Sequence, residues 1–137
     1  MSRNGVVIAG ALVLGCALGV GMDRIANAQQ SGITRTVLQR VDVPDSKTHE
    51  AVMATATLAP GASAGRHMHH GVEIGYVLEG TVVLEHQGRG PVTKKAGEFF
   101  QNDVAAAHDA RNTGTVPAKI LAIYVVEKGK PLAEPAK

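Results

Sequence analysis

Hydrophobic positions along the chain occur in short runs separated by Gly and Pro. Many are Val, Ile or Thr, which favour the pleated backbone of a strand. The runs cover residues 34–43, 51–58, 73–78, 81–86, 91–95, 98–101, 108–112 and 118–127. Run 51–58 holds enough Ala to be consistent with a helix, but its Thr residues and the following Pro60-Gly61 favour a strand. Since no other window has helical spacing, the pattern predicts an all-β sandwich or barrel.

The gaps between runs indicate where the chain turns and where the domain ends. Glu79-Gly80 predicts a hairpin, and Ala96-Gly97 predicts a second turn. We expect one domain over residues 29–127, followed by a flexible C-terminal tail over residues 128–137.

The N-terminal segment has the features of a secretory signal. Arg3 gives a basic start, residues 6–22 are almost all apolar or small, and Ala26-Asn27-Ala28 provides a small-x-small cleavage site. We therefore expect residues 1–28 to be removed on export to a bacterial periplasm or the cell exterior.

A lipid anchor is the alternative for this segment. The run that ends at Cys16 loosely resembles a lipobox, and acylation of Cys16 would hold the protein at a membrane. The later cleavage site favours removal of the whole segment, Cys16 included. Because Cys16 is the single cysteine of the chain, the mature domain would then have no disulfide, thiolate ligand or cysteine nucleophile.

Charge and aromatic content narrow the choice of partners. The net charge is +2, and without Arg3, Asp23 and Arg24 the domain carries 12 basic and 11 acidic residues. Only 3% of residues are aromatic, and no basic stripe is present that could follow a phosphate backbone. We expect a small-molecule partner and no nucleic acid.

The stretch 61–80 contains the residues that indicate chemistry. His67 and His69 are two positions apart, so on an extended strand both imidazoles project from the same face. Glu73 begins the next run and can reach the same point. Two imidazoles and one carboxylate form a facial triad that suits a redox-active first-row metal. His108, on a later run, is a candidate fourth ligand.

Other polar residues receive simpler interpretations. His70 is interpreted as a solvent-facing loop histidine, with an acid/base role beside the metal as the alternative. His49 and His86 have no evident partner and are taken as surface residues. We expect Asp109 and Arg111 to face away from His108 and to form a surface ion pair.

Five further residues are assigned to the pocket or to a turn. Asn112 is expected to fix a turn through its side-chain amide. The candidate residues for the pocket wall are Met53, Tyr76, Phe100 and Tyr124, each of which is also consistent with plain core packing.

The spacing of these residues resembles the two motifs of the cupin superfamily. Gly61, His67, His69, Glu73 and Gly80 match every fixed position of the first motif. In the second motif Gly97, His108 and Asn112 match, whereas Asp103 and Ala105 stand where proline and glycine are usual. The resemblance covers roughly residues 50 to 127.

This resemblance implies a jelly-roll (double-stranded β-helix) barrel with one metal ion at an open end. It implies that His67, His69, Glu73 and His108 bind iron, manganese, nickel, copper or zinc. It also implies a homodimer, in which the strand at residues 34–43 is the candidate for exchange between subunits.

The leading functional hypothesis is a small metal-dependent oxidoreductase, dioxygenase-like, acting on a small oxygenated substrate. Glu73 is a possible base in such a reaction. The alternatives are a non-catalytic cupin that binds or senses a small molecule or metal, and a cupin lyase or isomerase.

Overall fold

The computed structural model describes residues 32–136, which fold into ten β-strands. The strands are β1 (Ile33–Asp42), β2 (His49–Leu58), β3 (His67–Met68), β4 (Gly71–Glu79), β5 (Thr81–His86), β6 (Val92–Lys95), β7 (Phe99–Asn102), β8 (His108–Arg111), β9 (Ala118–Glu127) and β10 (Glu134–Pro135). This range contains no α-helix, and thus none that could span a membrane, so the all-β prediction is confirmed. The predicted signal, with Cys16, lies outside the described residues.

The strands form two antiparallel sheets that face each other. Sheet A has the order β1-β2-β9-β4-β7, and sheet B has the order β10-β3-β8-β5-β6. The core between them consists mainly of Val, Leu, Ile and Ala. Its most deeply buried apolar residues include Val52, Leu58, Val77, Val82, Leu84, Ala118 and Ala122.

Residues 51–58 belong to strand β2, which excludes the helical alternative. It pairs with β1 on one side and with β9 along its full length on the other. Its alternate residues Val52 and Ala54 are buried in the core. Pairing on both edges satisfies the backbone of this Ala-containing segment, so tertiary contacts decide its conformation.

The hairpin predicted at Glu79-Gly80 is wrong. The chain does reverse there, but β4 belongs to sheet A and β5 to sheet B, so the two strands do not pair. Gly80 has a φ of 73°, and a Cβ on it would lie 2.7 Å from the Pro117 carbonyl oxygen. A glycine is therefore needed both for the backbone conformation and for the space where the chain crosses between sheets.

Asn112 fixes the end of the fold next to the first motif, as predicted. Its Nδ2 donates to the carbonyls of Leu58 (3.0 Å) and Val116 (2.8 Å), and its Oδ1 accepts from the Gly114 amide (2.9 Å). The side chain is 1% exposed. The amide thus joins the end of β2 to the loop between β8 and β9.

The C-terminal segment also has a defined position. The sequence predicts a flexible tail from residue 128, whereas in the structure Glu134–Pro135 forms β10 and pairs with β3. The Ala136 amide donates to the Arg66 carbonyl at 3.1 Å. This segment therefore forms one edge of sheet B, beside the first motif.

Candidate metal centre

Strand register places the polar residues of the site in two facing rows. In sheet B, His108 is paired with His67 on one side and with His86 on the other. In sheet A, Glu73 is paired with Asn102 and with Tyr124. Residues in register on adjacent strands lie side by side. The two rows therefore meet inside one end of the barrel.

The three motif histidines have the same ring orientation. The Nδ1 atoms of His67, His69 and His108 lie 2.6, 2.5 and 2.8 Å from backbone carbonyl oxygens. A carbonyl oxygen can only accept, so each Nδ1 carries a proton and donates it. In the neutral imidazole this leaves the Nε2 lone pair available.

These lone pairs converge on one point beside Glu73. One ring nitrogen from each of the three histidines lies within 4.8 Å of the others. Glu73 Oε2 lies 3.1 Å from His69 Nε2 and 3.3 Å from His108 Nε2. Both nitrogens are buried, yet neither makes a hydrogen bond.

Glu73 is held in its charged form. Burial alone would raise its pKa, but the imidazoles of His108 and His69 and the amide of Asn102 outweigh that effect and hold the pKa well below its usual range. The Asn102 Nδ2 atom donates to Glu73 Oε2 at 2.6 Å. A carboxylate with so low a pKa is a good metal ligand and a weak base.

The histidines differ in their affinity for a proton. Burial lowers the pKa of His67 to about 4. Burial also acts to lower the pKa of His108, but the Glu73 carboxylate and the Ala106 carbonyl raise it overall. His67 is therefore neutral at physiological pH, whereas His108 has a higher affinity for a proton than a free imidazole.

Of the four predicted pocket-wall residues, the structure brings one, Tyr124, to the site. Tyr124 lies with its ring centroid 4.9 Å from that of His69. Burial, the charge of Glu73 and a hydrogen bond with Glu73 raise its pKa well above the usual value, so the hydroxyl stays protonated. Phe100 is buried in the core next to Gly75.

Met53 and Tyr76 do not line the site. They alternate with the inward-facing Val52 and Val77, so they project from the outer face of sheet A. Tyr76 is 45% exposed there. The prediction was wrong for these two because both faces of β2 and β4 carry apolar residues.

Two functional residues were missed by the sequence analysis. His86 Nε2 lies 2.6 Å from Asn102 Oδ1, and Asn102 in turn holds Glu73. His86 is thus a support of the carboxylate and not only a surface residue. A signal was available, because His86 continues the inward alternation of Val82 and Leu84.

The remaining polar residues lie around the centre. His70 Nε2 is 3.0 Å from Glu134 Oε1, and His49 contacts the Thr48 hydroxyl at 2.9 Å. The predicted pair of Asp109 and Arg111 is present at 3.6 Å. Asp109 is nevertheless 9% exposed, and it also accepts from the Ser63 hydroxyl.

The loop before His108 keeps its turn despite the two departures from the second motif. The Ala106 amide donates to the Asp103 carbonyl at 3.1 Å, and the Ala105 amide donates to the His69 carbonyl at 3.0 Å. Ala105 adopts a φ of 55°, a conformation that normally favours the glycine it replaces. The loop therefore delivers His108 with some backbone strain.

The residues present fit a divalent metal ion. Three imidazole nitrogens with fixed tautomers and one carboxylate form a donor set that first-row metals prefer. Buried nitrogens that lack a hydrogen-bond partner are rare, and a metal ion would provide the missing partner. His67, His69, Glu73 and His108 would hold it.

The low pKa of His67 predicts a loss of stability in acid for the metal-free protein. His67 titrates at 6.5 when unfolded and at about 4 when folded, so its contribution is full above pH 6.5 and falls towards pH 4. Between pH 6.5 and 4.5 we expect a loss of about 2 kcal/mol. Urea unfolding at several pH values with a chelator present measures this loss. The His67→Gln variant should show a weaker dependence of the free energy of unfolding on pH. An equal dependence on pH in both proteins would contradict the prediction.

Comparison with known proteins identifies the family. Residues 54–124, just over half of the chain, match the family profile of the cupin domain. This chain belongs to the cupin family. A comparison with curated protein sequences found no match.

Solved structures resemble this cupin in fold. The polyketide cyclase RemF from Streptomyces resistomycificus has a TM-score of 0.60 and 22% identity over 79% of this chain and 73% of its own. The DMSP lyase DddQ from Ruegeria pomeroyi DSS-3 has a TM-score of 0.64 and 16% identity, over 77% of this chain and 52% of its own. An oxalate oxidase solved with the substrate analogue glycolate has a TM-score of 0.57 and 21% identity, over 73% and 53%.

Proposed function

We propose that this cupin is a metal-dependent oxidoreductase, of dioxygenase-like type, that acts on a small oxygenated substrate. The observation that carries the proposal is the clustering of one ring nitrogen from each of three histidines, two of which lie within 3.3 Å of the charged Glu73. A bound first-row metal would act as a Lewis acid towards a substrate oxygen and, if redox-active, would exchange electrons with it.

The side chains of the protein have separate roles in this proposal. His67, His69 and His108 provide neutral ligands, and Glu73 provides one negative charge. Asn102 holds Glu73 in place by its hydrogen bond, so we assign Glu73 the role of ligand in preference to that of base.

Tyr124 is the residue that we assign to contact substrate. Its hydroxyl stays protonated and hydrogen-bonds with Glu73. Its ring lies beside that of His69, with the two centroids 4.9 Å apart. Because its own proton is donated to Glu73, the phenol oxygen can accept a hydrogen bond from a substrate hydroxyl. The buried Phe100 and its apolar neighbours keep water away from the inner side of the site.

Two of the similar structures support a small substrate. An oxalate oxidase and a lyase share this barrel, and glycolate is bound in the first of them. Because one fold hosts several chemistries, the reaction has to be decided by measurement.

Oxygen uptake on the purified protein tests the proposal. The protein is stripped of metal, reloaded with iron, manganese, nickel, copper or zinc, and screened with diketones, flavonols, catechols and small hydroxy acids. We expect substrate-dependent uptake with a redox-active ion and none with zinc. Glu73→Gln should abolish uptake, whereas Glu79→Gln, an exposed change on the same strand, should not. Metal binding without uptake for any substrate would favour a lyase, an isomerase or a binding protein.

We also propose that the protein is exported. The support is the arrangement of basic, apolar and small residues in positions 1–28. Intact mass of protein recovered from the producing cell should give an N-terminus at Gln29. A lipid-modified Cys16 would show instead that the protein is anchored at a membrane.

A further inference from the structure

The three histidine ligands differ in where their supporting carbonyls come from. His67 and His108 each donate to a carbonyl two positions earlier in the chain, those of Gly65 and Ala106. His69 donates to the carbonyl of Leu132, which is 63 positions away. The ring orientation of His69 thus depends on the C-terminal segment.

We propose that residues 132–136, here called the C-terminal strap, position His69 and are part of the metal centre. The proposal rests on the metal site described above. The strap fixes the Nδ1 proton of His69 and so directs its Nε2 towards Glu73. Residues that orient a ligand in this way affect metal affinity nearly as strongly as the ligands themselves.

The strap is held against β3 by contacts on both sides of His69. Glu134 is in register with Met68, and Pro135 is in register with His67. The Ala136 amide donates to the Arg66 carbonyl at 3.1 Å, and Glu134 Oε1 lies 3.0 Å from His70 Nε2. The strap therefore docks onto the ligand strand along its whole length.

Strand β3 has little other support. It is two residues long, and its register with β8 consists of the single pair formed by His67 and His108. The strap pairs with the other edge of β3. Without it the ligand strand would be an edge strand with free backbone groups, and His69 would lose the acceptor of its Nδ1 proton.

The local sequence brings the strap to this position. Gly129 has a φ of 75° just after the end of β9, and Pro131 follows two residues later. These residues end β9 and redirect the chain from sheet A to the edge of sheet B. The strap begins directly after this bend.

Metal binding and strap docking must then be coupled. If docking raises metal affinity by some factor, metal must raise the docking equilibrium by the same factor. We expect a factor of about 10 to 100, the range for residues that orient metal ligands. This reciprocity can be measured without a substrate.

Two measurements with Zn²⁺ as the probe test the inference. A protein ending at Lys130 should bind Zn²⁺ about 10- to 100-fold more weakly than the full chain. Glu134→Gln should bind Zn²⁺ about two- to fivefold more weakly. Glu85→Gln removes a charge from the exposed side of β5 and should bind Zn²⁺ as tightly as the full chain. In the intact protein, saturating Zn²⁺ should slow hydrogen exchange at the Ala136 amide by a factor in the same range.

The exchange measurement decides the question even if the shortened protein does not fold. Exchange at Ala136 that does not respond to bound Zn²⁺ would overturn the inference, as would equal Zn²⁺ affinity in a folded, shortened protein. Failure of the intact protein to bind Zn²⁺ at all would instead count against the metal centre itself. The two failures are therefore distinguishable.

Discussion

Replacing His69 with Ala is expected to reduce bound metal from about one ion per chain to less than about a tenth. His69 is 2% exposed, and its Nε2 lies at the point where the other ligands meet. Its removal takes away one of four donors and leaves Glu73 and His108 facing each other. We expect an affinity loss of at least about a thousandfold, roughly 4 kcal/mol.

Elemental analysis of the two purified proteins measures this effect. His49→Ala is the matched control, because His49 contacts Ser46 and Thr48 on the protein surface and none of the ligands. The control should retain the wild-type content. Full metal content in His69→Ala would mean that the metal lies elsewhere and that the histidine cluster has another purpose.

Three of the four ligands were predictable because they depend on short spacings, whereas His108 was expected from the spacing of the second cupin motif. His67 and His69 share one side of an extended segment, and the first motif places Glu73 four residues after His69. These relations survive any arrangement of the strands in space. The structure brings together the four residues that the sequence singled out.

The supports of the site depend on strand register, which short spacings do not contain. Asn102 meets Glu73 because β7 pairs with β4, and His86 meets Asn102 from the opposite sheet. The Leu132 carbonyl reaches His69 across 63 positions. A single sequence gives no means of predicting such pairings.

Two wrong predictions have physical reasons of the same kind. Glu79-Gly80 shows that the chain reverses, but it does not show which strand the next one pairs with. Met53 and Tyr76 were assigned to the pocket because alternation cannot separate inside from outside when both faces are apolar. Exposed apolar residues such as Ile74 and Phe99 make the outer face of sheet A resemble its inner face.

Gly71→Ala is expected to lower the free energy of unfolding by about 3 to 5 kcal/mol, a large fraction of the stability of a domain this size. A Cβ at Gly71 would lie 2.0 Å from the Val125 carbonyl oxygen and 2.7 Å from the Val126 Cα. Both atoms belong to the backbone of β9, so no side-chain rotation relieves the clash. Strands β4 and β9 would have to separate where they position Glu73 beside Tyr124.

Two other glycines make this prediction specific. A Cβ at Gly75 would lie 2.1 Å from Phe100 Cζ, and a Cβ at Gly90 has nothing within 4 Å. Because a side chain can shift more easily than a backbone, Gly75→Ala should cost about 1 to 3 kcal/mol, and adding Phe100→Leu should recover part of it. Gly90→Ala should stay within about 0.5 kcal/mol of wild type.

Urea unfolding of the three variants beside the wild type gives the order of these effects. The close backbone approach predicts the largest loss for Gly71→Ala, a smaller one for Gly75→Ala and almost none for Gly90→Ala. A variant at Gly71 that is as stable as the one at Gly90 would show that β4 does not approach β9 so closely. The placement of Glu73 between Asn102 and Tyr124 would then be wrong as well, because it depends on the same register.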